Sequence, residues 1–307
     1  MTPTQLLLIT AALRDEAEAR RAWEEVRPQL DVDRLEPGSF ALMPALYRRL
    51  EEWRIHDPPL ARLKGLYRHS WYRNQMLLVE LSNIGTALEA ASVGSLAGGG
   101  ALLVADYYDE PGLRPTDRID VVVQPSQLPA ARAVLEGLGW RSLDDGTSRT
   151  RTAHWFGREE NQLVVIRAPL FPPAIAVWER GESVRLSETT LQGLAGAHQL
   201  LWTCLGADRH EPWGRVQWIA DVDVLIRSRR VDWELFVGDA ASLRSSLAVG
   251  RALAAVRDVA GSAVPDDVLA GLARAPVGGR ERLADRLSRS SVPPKVVRRV
   301  ARLPRSL

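Results

Sequence analysis

The spacing of apolar and polar positions changes twice along the chain. Residues 14–30 (RDEAEARRAWEEVRPQL) carry apolar positions at helical spacing and end near a proline. FALMPALYRRLEEW (40–53) reads as a second helix broken early by Pro44. Pro59 opens LARLKGLYRHSWYRNQMLLVELSNIGTALEAASV, a long amphipathic helix of the kind that braces a sheet. Its Tyr67, Trp71 and Tyr72 are expected to be packing residues. From about 94 to 185 the texture becomes α/β. Residues 94–98 read as a short strand ending in Gly98–Gly100, Ala101–Tyr108 as a helix ended by Pro111 and Gly112, and RIDVVVQ (118–124) as a buried β-branched strand. A helix over Leu128–Leu138 and strands over Thr150–Phe156 and Gln162–Ile166 follow, with a turn through Gly157 and Asn161. Helical spacing returns over 186–207, with Ser187 as N-cap, and over 214–230 and 232–243.

The pattern divides the chain into a helical region (1–93), an α/β core (94–185), a second helical region (186–279) and a basic helical tail (280–307). Composition changes this picture little. Hydrophobic content of 46% and charged content of 25% suit a soluble globular protein, and no apolar run reaches the roughly 18 residues of a membrane span. The N-terminal stretch lacks a basic region and a small-residue cleavage site, so it reads as a helix and not a signal peptide. One cysteine, Cys204, excludes an internal disulfide framework and a cysteine-rich zinc site. A cytoplasmic protein with no membrane partner is expected.

The net charge of +2 is uneven. Residues 280–307 hold nine basic side chains against Glu281 and Asp285, a balance of +7 that leaves the rest near −5. No aromatic residues are interleaved there for base stacking, so a solvated helix face is expected and nucleic acid is not the expected partner. Only Lys64 and Lys295 supply lysine, which leaves few candidates for amine chemistry.

The candidate chemistry lies between Leu96 and Val123, where a glycine turn precedes a strand carrying Asp120. Gly98–Gly100, YYDEPGLRP (107–115) and the Ile119–Val123 strand resemble the core of the uncharacterised nucleotidyltransferase family, within the nucleotidyltransferase superfamily. HQLLWTCLGADRH (198–210), RVQWIADVDVLI (215–226), VDWELFVGDA (231–240) and LMPALYRRL (42–50) resemble its helical parts, so the likeness spans roughly 40–245. The resemblance implies an α+β fold: a small mixed β-sheet flanked by helices, with helical N- and C-terminal regions. It also implies two divalent metals held by three carboxylates. Two of these stand as Asp-x-Asp on one strand, where i and i+2 share a face, and the third stands on a neighbouring strand. Two metals would neutralise triphosphate and activate a hydroxyl for in-line transfer.

The chain departs from that pattern at each place. The lysine before the glycine turn is replaced in Ala97–Gly98, the first Asp falls on Arg118, and only Asp120 survives. The neighbouring strand, where the family reads roughly Glu-x-His, is Val165-Ile166-Arg167. A lone carboxylate holds Mg²⁺ weakly. Asp117 faces away on a regular strand, and a β-bulge at Thr116–Arg118 would bring it round. Two outcomes stand open. Arg118 and Asp120 form a bidentate structural pair, guanidinium replacing metal charge; or Gly98, Gly99 and Gly100 amides with Arg118 and Arg167 hold a phosphate or carboxylate without metal.

Other constellations are weaker. Asp221-Val222-Asp223 also spells Asp-x-Asp, but on a helix i and i+2 diverge by about 200° and cannot chelate one ion. His198, Cys204 and His210 have poor spacing for zinc, so a packed thiol and ordinary histidines are expected. His154 on its strand beside the cleft is a candidate for proton transfer. Trp155, Trp178 and Trp213 lie nearest loops, where they would line a binding surface. The expectation is a nucleotidyltransferase-fold protein that has lost two-metal transfer and binds, or acts without metal on, a small anionic molecule or peptide, with no cofactor. The alternative is an active Mg²⁺- and NTP-dependent transferase with Asp120 and Asp117 as ligands.

Overall fold

In the computed structural model, Thr2 starts the first helix. Its hydroxyl accepts the Gln5 amide at 3.2 Å and Gln5 Oε1 accepts the Thr2 N–H at 3.0 Å, a reciprocal cap. The structure describes residues 1–35, 37–55, 57, 59–144, 152–158, 162–173, 175–186, 188–206 and 214–288. The N-terminal helices are α1 (Pro3–Leu13), α2 (Glu16–Val26), α3 (Pro37–Phe40) and α4 (Met43–Glu52). Pro44 lies in the first turn of α4, where a missing N–H costs nothing. The long helix α5 (Leu60–Ala90) has 31 residues and spans roughly 46 Å at 1.5 Å per residue.

The central elements are β1 (Ser95–Gly98), α6 (Gly99–Asp106), β2 (Arg118–Val123), α7 (Leu128–Gly137), β3 (Arg141–Ser142), β4 (Ala153–Arg158), β5 (Gln162–Arg167), β6 (Glu182–Leu186) and β7 (Thr189–Gly193). Among the described residues these strands form one mixed sheet of order β3-β4-β5-β2-β1-β7-β6. The C-terminal helices are α8 (Gly196–Leu205), α9 (Gly214–Arg227), α10 (Trp233–Ser242), α11 (Ser246–Ala260), α12 (Asp266–Arg274) and α13 (Gly279–Ser288). The fold is thus the expected α+β class, a mixed sheet between helical regions.

Register decides which side chains meet. Asp120 pairs with Gly98 on β1 and Val165 on β5, and Val165 pairs with Trp155 on β4. These residues share one face with Arg118 and Arg167, and Trp202 of α8 presses close to Gly98 there. The opposite face carries Val121, His154, Phe156 and Arg158. It meets α5, with Arg158 paired to Glu80 at 2.8 Å. Phe156, Trp140, Trp202, Trp23 and Phe236 are among the largest fully buried side chains.

The sheet has a seam. β1 and β7 run parallel and share one ladder pair, Ala97 with Gly193, next to a Leu194 N–H donated to the Ala97 carbonyl at 2.9 Å. Where they part, a cavity of about 400 Å³ opens between Leu96, Leu191, Trp178 and α5.

Several sequence expectations change. Residues Thr189–Gly193 form a strand, and the helix expected from 186 begins at Gly196. The strand wins because its residues pair with β6 from Leu186–Thr189 to Glu182–Gly193; Ser187, the expected cap, lies outside the described residues. Trp71 and Tyr72 are 44% and 63% exposed, so they are not packing residues. Both side chains reach solvent, whereas Tyr67 packs on Tyr47 at 5.3 Å between ring centroids. Of the basic tail, the start docks on α11: Glu281 accepts the Leu247 N–H at 2.9 Å and Asp285 pairs with Arg251 at 2.7 Å. Residues 289–307 lie outside the described residues.

Candidate functional site

β2 brings Arg118 and Asp120 to the cleft face two residues apart, and β5 brings Arg167 alongside. Asp120 is fully buried. Arg118 Nε donates to Asp120 Oδ2 at 2.7 Å; Arg167 donates to Oδ1 from Nε at 3.0 Å and lies 2.9 Å away through Nη2. The expected bidentate pair is therefore a three-membered cluster, each carboxylate oxygen held by a different guanidinium. Trp155 lies under Arg118 at 5.8 Å and Trp202 under Arg167 at 5.5 Å, so both cations also face aromatic rings. Burial alone would raise the Asp120 carboxyl; the two guanidiniums and their hydrogen bonds outweigh it and hold it below the ordinary aspartate value.

The glycine turn makes room for this cluster. Gly99 has φ +60°, and a Cβ there would stand 2.8 Å from Asp120 Oδ2. A Cβ on Gly98 would overlap Trp202, and one on Gly100 would overlap the Arg114 guanidinium. The Gly99 N–H donates to Gln199 Oε1 at 3.0 Å, so that amide is already engaged.

A second buried charge pair closes the floor. Arg114 Nε and Nη2 donate to the two oxygens of Asp221 at 2.8 and 2.9 Å, and Arg114 Nη1 donates to Thr116 Oγ1 at 2.9 Å. Tyr108 donates to Asp221 at 2.8 Å, and burial pushes its phenol well up. Asp223, two residues on, turns elsewhere: it accepts from Ser262 at 2.6 Å and pairs with Arg227 at 2.8 Å. The divergence expected of a helical Asp-x-Asp is thus what α9 displays.

Between these charges lies a cavity of about 260 Å³. Phe40 and Pro44 line it from α3 and α4, Leu66, His69, Ser70 and Arg73 from α5, and Gln217, Trp218 and Asp221 from α9. The 114–118 segment, Gly100 and Asp120 complete it. Of the residues expected to hold a ligand, Gly100 and Arg118 line the cavity. Gly98, Gly99 and Arg167 do not; they engage Trp202, Gln199 and Asp120. Asp117 lines it together with Asp120. No bulge is needed for this: Arg118–Val122 pair continuously with β5, and Asp117 precedes the strand, outside its alternation. His154 is not brought to the cleft. It lies on the opposite face, with Nδ1 3.1 Å from Asp144. Its proposed proton-transfer role thus has no reacting group from this cavity beside it.

Two of the expected lining tryptophans find other uses, Trp155 under Arg118 and Trp178 at the seam cavity; Trp213 lies outside the described residues. His198 is buried, 3.0 Å from Asp239, and Cys204 is buried, in keeping with structural roles; His210 lies outside the described residues. Among the described residues no group of three or more His, Cys, Asp or Glu side chains is placed to hold a metal ion. Sequence reading missed Ser70, Arg73 and Trp218. The signal lay in α5, where 66, 69, 70 and 73 fall on one helix face and three of the four are polar.

A family model described as uncharacterised nucleotidyltransferase matches residues 40–261, most of the chain. The chain belongs to this family. No curated protein matches it. Among solved structures, the antibiotic-resistance factor ANT(2'')-Ia in solution is similar at 13% identity, covering 60% of this chain and 93% of its own, with a TM-score of 0.41. The lincosamide antibiotic adenylyltransferase LnuA, lincomycin-bound, has 14% identity, coverage of 48% and 94%, and a TM-score of 0.35. An antigenic nucleotidyltransferase-like protein from Paracoccidioides brasiliensis has 14% identity, coverage of 66% and 93%, and a TM-score of 0.40. The family match, and not these distant likenesses, assigns the nucleotidyltransferase-like fold. No helix among the described residues is long and apolar enough to cross a membrane.

Proposed function

We propose that this family member has lost two-metal nucleotidyl transfer. In this reading it binds, or acts without metal on, a small anionic molecule or peptide in the former catalytic cleft, as a cytoplasmic protein without resident cofactor. The observation that carries the reading is the engagement of both Asp120 oxygens by Arg118 and Arg167. A divalent ion seeks several oxygen ligands and would here have to displace two paired cations from one buried carboxylate. The register partner of Asp120 on β5 is Val165, which offers no second carboxylate.

A second reading, an active Mg²⁺-dependent transferase modifying a hydroxyl of a small molecule, peptide or protein, draws on the placement of Asp117 and Asp120 along one cavity. Isothermal titration with Mg²⁺–ATP and Mg²⁺–CTP separates the two. No metal-dependent binding is expected. Micromolar, metal-dependent binding that disappears in Asp120→Ala would overturn the first reading and favour the second.

A further inference from the structure

Most charges around the 260 Å³ cavity are committed: Arg114 to Asp221, and Arg118 and Arg167 to Asp120. Besides the exposed His69, three polar groups on its wall have no hydrogen-bond or ion-pair partner among the described residues. Ser70 Oγ is one; its residue is only 4% exposed. The half-buried Asp117 is another, and the exposed Arg73 at the α5 rim is the third. A buried hydroxyl seeks a partner, and a carboxylate beside apolar walls is poorly solvated until a cation meets it. Phe40, Leu66 and Trp218 supply those apolar walls. The cavity lies just below the roughly 300–1,000 Å³ of drug-sized ligand sites, so its occupant is of amino-acid or dipeptide size.

We propose that the cavity takes a small zwitterion with an apolar body, such as a hydrophobic amino acid or dipeptide. Its ammonium meets Asp117, its carboxylate meets Arg73, a polar atom meets Ser70 Oγ, and its side chain lies against Phe40, Leu66 and Trp218. This rests on the reading of the cleft as a site for a small anionic molecule or peptide, and narrows it. Opposite charges on separate elements, the 114–118 segment and α5, give the site a direction that a purely anionic ligand would not use.

The test is isothermal titration of the full chain, in EDTA, with phenylalanyl-leucine, its N-acetyl derivative and its C-terminal amide, alongside inorganic phosphate and AMP. The free dipeptide is expected to bind, with N-acetylation and amidation each weakening it at least tenfold. Asp117→Asn should abolish the penalty for acetylation and retain that for amidation, and Arg73→Gln should do the reverse. A variant that merely misfolds would lose both penalties together with binding, and circular dichroism of each variant identifies that case; Asp117→Glu and Arg73→Lys, which keep the charges, should then retain both penalties. Equal binding of free and capped dipeptides, or unchanged penalties in folded Asp117→Asn and Arg73→Gln, overturns the proposal. Phosphate or AMP binding without dipeptide binding overturns the zwitterion and leaves the anionic reading standing. Binding of none of the probes overturns the zwitterion and counts against the anionic reading as well.

Discussion

Replacing Asp120 with Asn is the sharpest test of the arginine cluster as a structural element. The substitution keeps the shape of the side chain but removes the charge that faces two cations. Arg118 and Arg167 side chains are only 6% and 15% exposed, and Asp120 is 0% exposed, so solvent does little to compensate. Removing one partner from a buried charge group costs about 3–5 kcal/mol. An unfolding entropy near 2.1 cal/mol/K per residue over 307 residues gives roughly 0.64 kcal/mol/K, so the melting temperature should fall by about 5–8 °C. Differential scanning calorimetry reads this directly. The combined variant Arg118→Met, Asp120→Leu, Arg167→Met removes all three charges and should recover most of the loss. The folded-state carboxyl titrates below the ordinary value of 3.8. Its contribution is therefore complete above that value and lost as pH falls through the folded-state value. The gap between wild type and Asp120→Asn should stay constant from pH 8 to about 5 and narrow below about 4. An unchanged or higher melting temperature in Asp120→Asn would refute the reasoning, because a carboxylate kept for chemistry at the expense of stability behaves that way.

Other consequences can be measured in the same way. Gly99→Ala places a side chain at φ +60° and 2.8 Å from Asp120 Oδ2, so urea unfolding should register a loss of at least about 1–2 kcal/mol. Arg114→Met leaves Asp221 buried without its bidentate partner, and a loss of about 3–5 kcal/mol with altered near-ultraviolet dichroism is expected. Burial, opposed by Asp239, holds the His198 imidazole below its ordinary value of 6.5. Its contribution is present above 6.5 and declines as pH falls below it, so His198→Gln should flatten the stability profile just below about pH 6.5.

The strands that frame the site were legible because a buried strand needs a β-branched run, and RIDVVV and QLVVIR supply it. The pairing of Arg118 with Asp120 was legible from alternation alone. The addition of Arg167 was not, because it depends on the parallel register that sets Val122 opposite Arg167 and Asp120 opposite Val165. Asp117 was misjudged by applying strand alternation to a residue just before the strand. Thr189–Gly193 was hidden because a short strand with one glycine and two threonines gives a weak pattern, and its pairing with β6 decides the matter. Arg114 and Asp221 lie 107 positions apart, a distance over which spacing carries no signal.

The seam between β1 and β7 bears on motion. A two-stranded hairpin is marginal alone, and β6–β7 is joined to the rest of the sheet chiefly through Ala97 and Gly193. Side chains supply the other clasp: Leu191 rests on the bare backbone of Gly85, and Val184 with Leu102 closes over Gly193. Amide protons of the β6–β7 hairpin should therefore exchange with solvent as one cooperative unit, ahead of those in β2 and β5. The sheet would then breathe at the β1–β7 seam, toward one edge, while the strands that hold the charged cluster stay shut.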